Sequence, residues 1–132
     1  MQCPCHSGKS YQACCVPLHR KERLPESAEQ LMRSRYSAYA LQLPEYIMDT
    51  THPENPTYLE DRSPWQIEIL KFCKETTFTG LDILSTENRD DEAFVTFFAH
   101  LIQNNLDVSF QEKSRFLKED GRWLYRSGIR LT

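Results

Sequence analysis

Apolar positions recur at helical spacing in "SAEQLMRSRYSAYALQ". Ala28, Leu31, Met32, Arg35, Tyr36 and Tyr39 form one stripe, which predicts an amphipathic helix with a single charged member, Arg35. Pro44 ends that helix, and "PEYIMDTTH" predicts a short second one before the polar loop "PENPTYLEDR". A third helix is expected to start at Ser63, with Pro64 in its first turn and an apolar face of Trp65, Ile69, Phe72 and Cys73. After residue 76 the period changes to two. "TFTGLDILSTE", "EAFVTFFAHLIQ", "LDVSFQEKSRFLKE" and "RWLYRSGIRL" predict four strands, joined by "NRDD", "NN" and the hairpin turn "DG". The expected fold class is α+β, with three helices packed on a curved four-stranded antiparallel sheet.

The alternation also phases the last hairpin. With Asp120 and Gly121 as the turn, Glu119 faces Arg122, Lys118 faces Trp123, Phe116 faces Tyr125 and Ser114 faces Ser127. Phe110, Glu112, Ser114, Phe116, Trp123, Tyr125 and Ile129 then share a face that packs on the helices. Gln111, Lys113, Arg115, Leu117, Arg122, Leu124 and Arg126 share a basic face, expected to meet water or a partner. Glu112 is a carboxylate in the middle of the aromatic face, and a buried charge needs a partner. Arg35 is the opposite charge in the helix stripe, so the two are expected to pair between helix and sheet, near Ser114, Tyr36 and Tyr39. Such a pair is either a satisfied structural contact or the polar spot of a pocket for a small ligand. His52 and His100 are further candidates for that spot, whereas Cys73 reads as a core residue.

The N-terminus changes this picture. Four of the five cysteines lie within "CPCHSGKSYQACC": Cys3 and Cys5, eight intervening residues, then Cys14 and Cys15. Four thiolates match the number and softness of ligands that tetrahedral zinc takes, and Gly8 permits the tight turn a knuckle needs. His6 and His19 flank the cluster and are alternative ligands. Four protein ligands would leave no open position, which makes such a zinc structural. With 39% hydrophobic and 27% charged residues the composition is that of a globular chain, and a net charge of -3 gives no global footprint for nucleic acid. No apolar run approaches a membrane span and no signal segment precedes the cysteines, so a reducing cytoplasmic setting is expected, where clustered cysteines favour metal over disulfides. The expected organisation is a knuckle over 1–19, a polar connector over 20–27 with basic residues Arg20, Lys21 and Arg23, and an α+β domain over 28–132.

"CPCHSGKSYQACC" resembles the SEC-C motif, the zinc knuckle named for the tail of the SecA translocation ATPase. That motif runs Cys-x-Cys, eight residues, then Cys-Cys or Cys-His, with Gly-Ser-Gly usual after the second cysteine; here His6 stands at the first of those glycines. "LMRSRYSAY" and "FQEKSRFLKEDGRWLYRSG" resemble segments of the YchJ-like family, in which a SEC-C knuckle precedes a domain of nuclear-transport-factor-2-like (cystatin-like) fold. The resemblance implies zinc held by Cys3, Cys5, Cys14 and Cys15, and a cone-shaped α+β domain. The family pattern often has His where this chain has Gln111, and longer members carry a second cysteine cluster at the C-terminus, so neither a catalytic role for that position nor a two-knuckle mode of action is carried over.

Three functional readings follow. By similarity to the SecA knuckle, which contacts the SecB chaperone and ribosomal components, residues 1–19 are expected to serve as a protein-interaction module. The alternative is a small-molecule-binding protein or enzyme whose pocket uses Arg35, Tyr36, Tyr39, Glu112 and Ser114. A weaker one is RNA or ribosome contact through the knuckle and the basic residues Lys113, Arg115, Arg122 and Arg126. Nucleophile-elbow, P-loop and dinucleotide fingerprints are absent from the sequence, which leaves the enzyme question open.

Overall fold

The computed structural model describes residues 1–131. Past the last clustered cysteine, Pro17 at the first turn helps close one helical turn, α1 (Val16–His19), whose Leu18 is buried in the main core. The last residues of the stretch read as knuckle therefore form a helical turn that ties the N-terminus to the domain. Ser27 then accepts the Gln30 amide and opens α2 (Ala28–Ala40). The chain turns through Gln42 in the left-handed region and enters α3 (Pro44–Asp49) at a proline. Asp61, rather than Ser63, caps α4 (Arg62–Glu75), where Trp65, Ile69 and Cys73 face inward as their spacing predicts.

The sheet comprises β1 (Thr77–Asn88), β2 (Glu92–Gln103), β3 (Leu106–Asp107), β4 (Phe110–Glu119) and β5 (Arg122–Arg130), all antiparallel, in the order β1-β2-β4-β5 with β3 on β2. The described residues thus hold four helices and five strands instead of three and four. The extra strand arises because the expected third strand breaks at Val108 and Ser109. The Asp107 carboxylate accepts the Ser109 amide, and the Ser109 hydroxyl accepts the Leu101 amide, so side-chain bonds replace the ladder there.

Irregularities bend the sheet around the helices. The hairpin register holds for Glu119–Arg122, Lys118–Trp123 and Phe116–Tyr125, then shifts by one. Arg126 is the extra residue: its guanidinium binds the Glu54 carbonyl and carboxylate, and its carbonyl accepts from the Asn55 amide group, which draws it out of the ladder. Ser114 consequently pairs with Gly128 and not with Ser127. Ile129, expected on the packed face, is 67% exposed, while Arg130 comes opposite Glu112. The outer face is also less basic than its sequence suggests, since Glu87 answers Lys113, Glu92 answers Arg115, and Leu124 is buried.

The core lies between the helices and the concave side of the sheet, around Leu31, Ile47, Val95 and Phe116. Tyr36 locks this packing. Its hydroxyl donates to the Gly80 carbonyl at 2.8 Å and accepts the Gly80 amide at 3.0 Å, serving the backbone groups that a β1 irregularity between Phe78 and Gly80 removes from the ladder. Burial pushes the phenol up to about 12, keeping the donor in place. A Tyr36→Phe variant leaves both Gly80 groups without their side-chain partner and is expected to lose about 1–3 kcal/mol of stability, read as a lower urea midpoint with an unchanged slope.

Candidate functional site

Two places hold the chemistry. The first is the cysteine cluster. Pro4 stiffens the first limb, the Cys3 amide bonds the Lys9 carbonyl, and a bridge between Gln2 and Ser10 closes the loop. The turn needs positive φ at His6 (62°) and Gly8 (88°). The four sulfurs of Cys3, Cys5, Cys14 and Cys15 all lie within 4.8 Å of one another, and all five cysteines of the chain are free thiols. A tetrahedral metal with sulfur bonds of about 2.3 Å sets its sulfurs about 3.8 Å apart. Cys5 and Cys14 stand at 3.6 Å, Cys14 and Cys15 at 3.9 Å, so the donor set fits a metal ion in both number and spacing.

The electrostatics agree with that fit. A hydrogen bond from Cys15 draws the Cys5 thiol down to about 4, with Ser7, Cys3 and Cys14 assisting. Burial pushes Cys3 up to about 11, and donation to Cys5 followed by burial raises Cys15. Cys3 and Cys15 therefore resist ionisation unless a cation joins them. Neither flanking histidine belongs to the cluster. His6 is exposed and its ring meets Tyr36 edge-on. His19 donates from Nε2 to the Ser34 carbonyl at 2.8 Å, and its Nδ1 accepts the Tyr11 hydroxyl at 2.7 Å. Burial holds this imidazole below its usual range and hence neutral, as that tautomer requires. His19 and Arg33, which donates to the Cys5 carbonyl, fasten the knuckle to α2.

The second place is a cavity of about 600 Å³ between α2, α3, α4 and the concave sheet face. All five residues singled out from the sequence, Arg35, Tyr36, Tyr39, Glu112 and Ser114, line it. Its walls are aromatic, with Trp65, Phe72, Phe78, Phe97 and Phe110. His52 and His100 are not among its lining residues. His52 is buried with Nε2 on Glu119 and Nδ1 accepting the Glu54 amide, and His100 pairs with Asp82 at the surface. Cys73 sits in the core, its thiol pushed up to about 11 by burial.

Arg35 and Glu112 do not form the direct ion pair expected of them. Arg35 Nη1 instead donates to the Ile47 carbonyl and to the hydroxyls of Thr50 and Thr51, at the end of α3. Glu112 Oε2 accepts the hydroxyls of Ser114 at 2.6 Å and Tyr125 at 3.0 Å. Tyr125 stands between the charges: its ring face receives the Arg35 guanidinium at 4.8 Å while its hydroxyl serves Glu112. Burial, reinforced by the Glu112 charge, raises the Tyr125 phenol and keeps it a donor. Burial likewise raises Tyr39, against the pull of Arg35.

Sequence reading missed Tyr125, Gly128 and Arg130 as site residues. Tyr125 was legible, because it shares the alternation of Phe116. The other two reach the cavity only through the Arg126 irregularity. A side chain at Gly128 would have to displace the Glu112 carboxylate and the Tyr125 hydroxyl, since a Cβ would come within 2.2 Å of Glu112 Oε2 and 2.6 Å of the Tyr125 hydroxyl.

Known proteins resemble this chain in sequence and in fold. A family model described as the middle NTF2-like domain of YchJ matches residues 27–128. A UPF0225 protein of Haemophilus influenzae (strain PittEE) is 40% identical over 124 residues, which span 93% of this chain and 74% of the relative. The solution structure of a SEC-C motif containing protein from Rhodopseudomonas palustris agrees with a TM-score of 0.88 at 34% identity, over 100% of both chains. The crystal structure of a SEC-C motif containing protein from Psychrobacter arcticus agrees with a TM-score of 0.78 at 29% identity, over 94% of this chain and 79% of that one.

Gly8 gives the cluster a sharp test. No atom lies within 4 Å of where its Cβ would stand, so Gly8→Ala strains only the backbone of the loop. The variant is expected to bind metal roughly tenfold more weakly, measured by competition with a chromophoric chelator, with the fold of the α+β domain intact.

Proposed function

We propose, on the premise that the chain belongs to the YchJ-like family of SEC-C-motif proteins, that it is a zinc-carrying small-molecule-binding protein, with the cone cavity as its ligand site. The single observation that carries this reading is the cavity itself. Its volume is in the range of small-ligand sites, and its apolar walls converge on a few fixed polar groups, the usual composition of such a site. A cone filled by its own Phe, Trp and Tyr side chains would instead have been a platform. Glu112 is held in orientation by Ser114 and Tyr125 while its Oε1 accepts no hydrogen bond within the protein, so it is the polar anchor for a ligand donor.

Zinc on Cys3, Cys5, Cys14 and Cys15 would be structural, because four sulfurs complete its tetrahedron. Its role is to fold the knuckle and thereby hold His19 and Tyr11 against α2. A second reading is favoured by one observation: Lys9, Ser10, Gln12 and Ala13 are exposed on the knuckle loop. In that reading the loop docks a protein partner, of the SecB or ribosomal kind by analogy, while the cavity binds its ligand. The pairing of Lys113 and Arg115 with acids gives little support to nucleic acid as that partner. No helix among the described residues is long and apolar enough to cross a membrane, and a cytoplasmic setting suits free, metal-ready thiols.

Screening a fragment library by amide chemical shifts is expected to perturb β4, β5 and α2 residues around Glu112 and Tyr125. A library that moves no cavity amide at millimolar concentration contradicts the ligand reading. Metal analysis of reduced protein is expected to find one zinc per chain, with Cys14→Ser lowering occupancy and chelation collapsing the shifts of residues 1–19 while those of α2 to β5 persist. Affinity capture with a Cys14→Ser, Cys15→Ser variant separates the partner reading: an unchanged set of captured proteins removes the knuckle from the interaction surface.

A further inference from the structure

Charge inside the cavity is unbalanced, and the inference drawn from this rests on the cavity being a ligand site. Three charged side chains line it: Arg35, Arg130 and Glu112. Arg130 accounts for the carboxylate, with Nε at 3.9 Å from Glu112 Oε1 and its guanidinium 3.7 Å over the Phe110 ring. Arg35 is left with no carboxylate although it is only 6% exposed. Buried cations are ordinarily paired, because removing the charge from water is costly. All of the hydrogen bonds that Arg35 makes leave from Nη1. Its Nε and Nη2 make no hydrogen bond of good geometry, with only the Tyr39 hydroxyl close enough to interact with the guanidinium, yet no buried side-chain nitrogen or oxygen among the described residues lacks a partner, so these two atoms open on the cavity beside Tyr39. The Nε–Nη2 edge of a guanidinium is one of its two bidentate faces for a planar anion.

We infer that the ligand is a flat, mostly apolar carboxylate. Its anionic end sits on the free edge of Arg35, its body lies between Tyr39, Phe72, Phe78 and Phe97, and a hydroxyl or N–H on it meets Glu112 Oε1. The carboxylate supplies the counter-charge that the protein withholds, and binding it brings the three charged side chains into balance with the ligand.

The test uses the intact zinc-loaded chain and three probes with one body: 2-naphthoate, 2-naphthylmethanol and 2-naphthylmethylammonium, titrated calorimetrically. Naphthoate is expected to bind tightest, by about tenfold or more over the alcohol, the margin of a charge-assisted pair over a neutral one. Alcohol binding as tightly as the acid, or the ammonium binding tightest, overturns the carboxylate inference and leaves the ligand reading standing. Failure of all three at millimolar concentration overturns the ligand reading itself. Arg35→Gln, with folding checked by amide shifts, is expected to abolish the preference for naphthoate, whereas Arg130→Gln keeps it. The reverse pattern overturns the assignment of the anchor to Arg35. Because Arg35 also holds the end of α3, the ranking of the three probes on the unmodified chain decides the inference if that variant does not fold.

Discussion

One extra residue in β5 shapes most of what lies inside the cone. Arg126 leaves the ladder because Glu54 and Asn55, in the loop after α3, hold its side chain and its carbonyl. Every residue beyond it then faces the opposite way from strict alternation. Gly128 arrives beneath Glu112, where a side chain would displace the carboxylate, and Arg130 arrives beside the same carboxylate. Residues 50–52 simultaneously bond the backbone of Tyr125, which covers part of an otherwise open sheet edge and fixes the Tyr125 ring over Arg35.

Charge placement follows from that geometry. Arg35 is held by neutral oxygens at the end of α3 and by an aromatic face, and Glu112 by two hydroxyls. A direct pair would have cancelled the two charges and left the cone inert. Interposing Tyr125 keeps both oriented toward open volume, the arrangement a binding site requires and a structural salt bridge does not.

The knuckle and the cone meet at α2. Leu18 joins the main core, His19 bonds the Ser34 carbonyl, and Arg33 bonds the Cys5 carbonyl, all within the helix that also carries Arg35, Tyr36 and Tyr39. A metal-bound knuckle therefore braces the helix that forms one wall of the cavity. A fifteen-residue loop with almost no core of its own gains a platform in return.

Local chemistry was readable from the chain alone. The Cys3–Cys5–Cys14–Cys15 spacing announces a metal knuckle because its ligands are close in sequence, and the stripe on α2 with the alternation in β2 and β4 announces the α+β cone because burial repeats with the period of each element. The five pocket residues were legible for the same reason, as polar groups at apolar positions. The short strand β3, the inward turn of Gly128 and Arg130, and the separation of Arg35 from Glu112 were not. Each depends on a particular side-chain bond, Ser109 with Leu101 across a hairpin, Asn55 with Arg126 across the fold, Tyr125 with Glu112 across two strands, and periodicity carries no information about such pairs. His19 teaches the same lesson: by composition it is a ligand beside a cysteine cluster, and only its contact with Ser34 across the fold makes it the clasp instead.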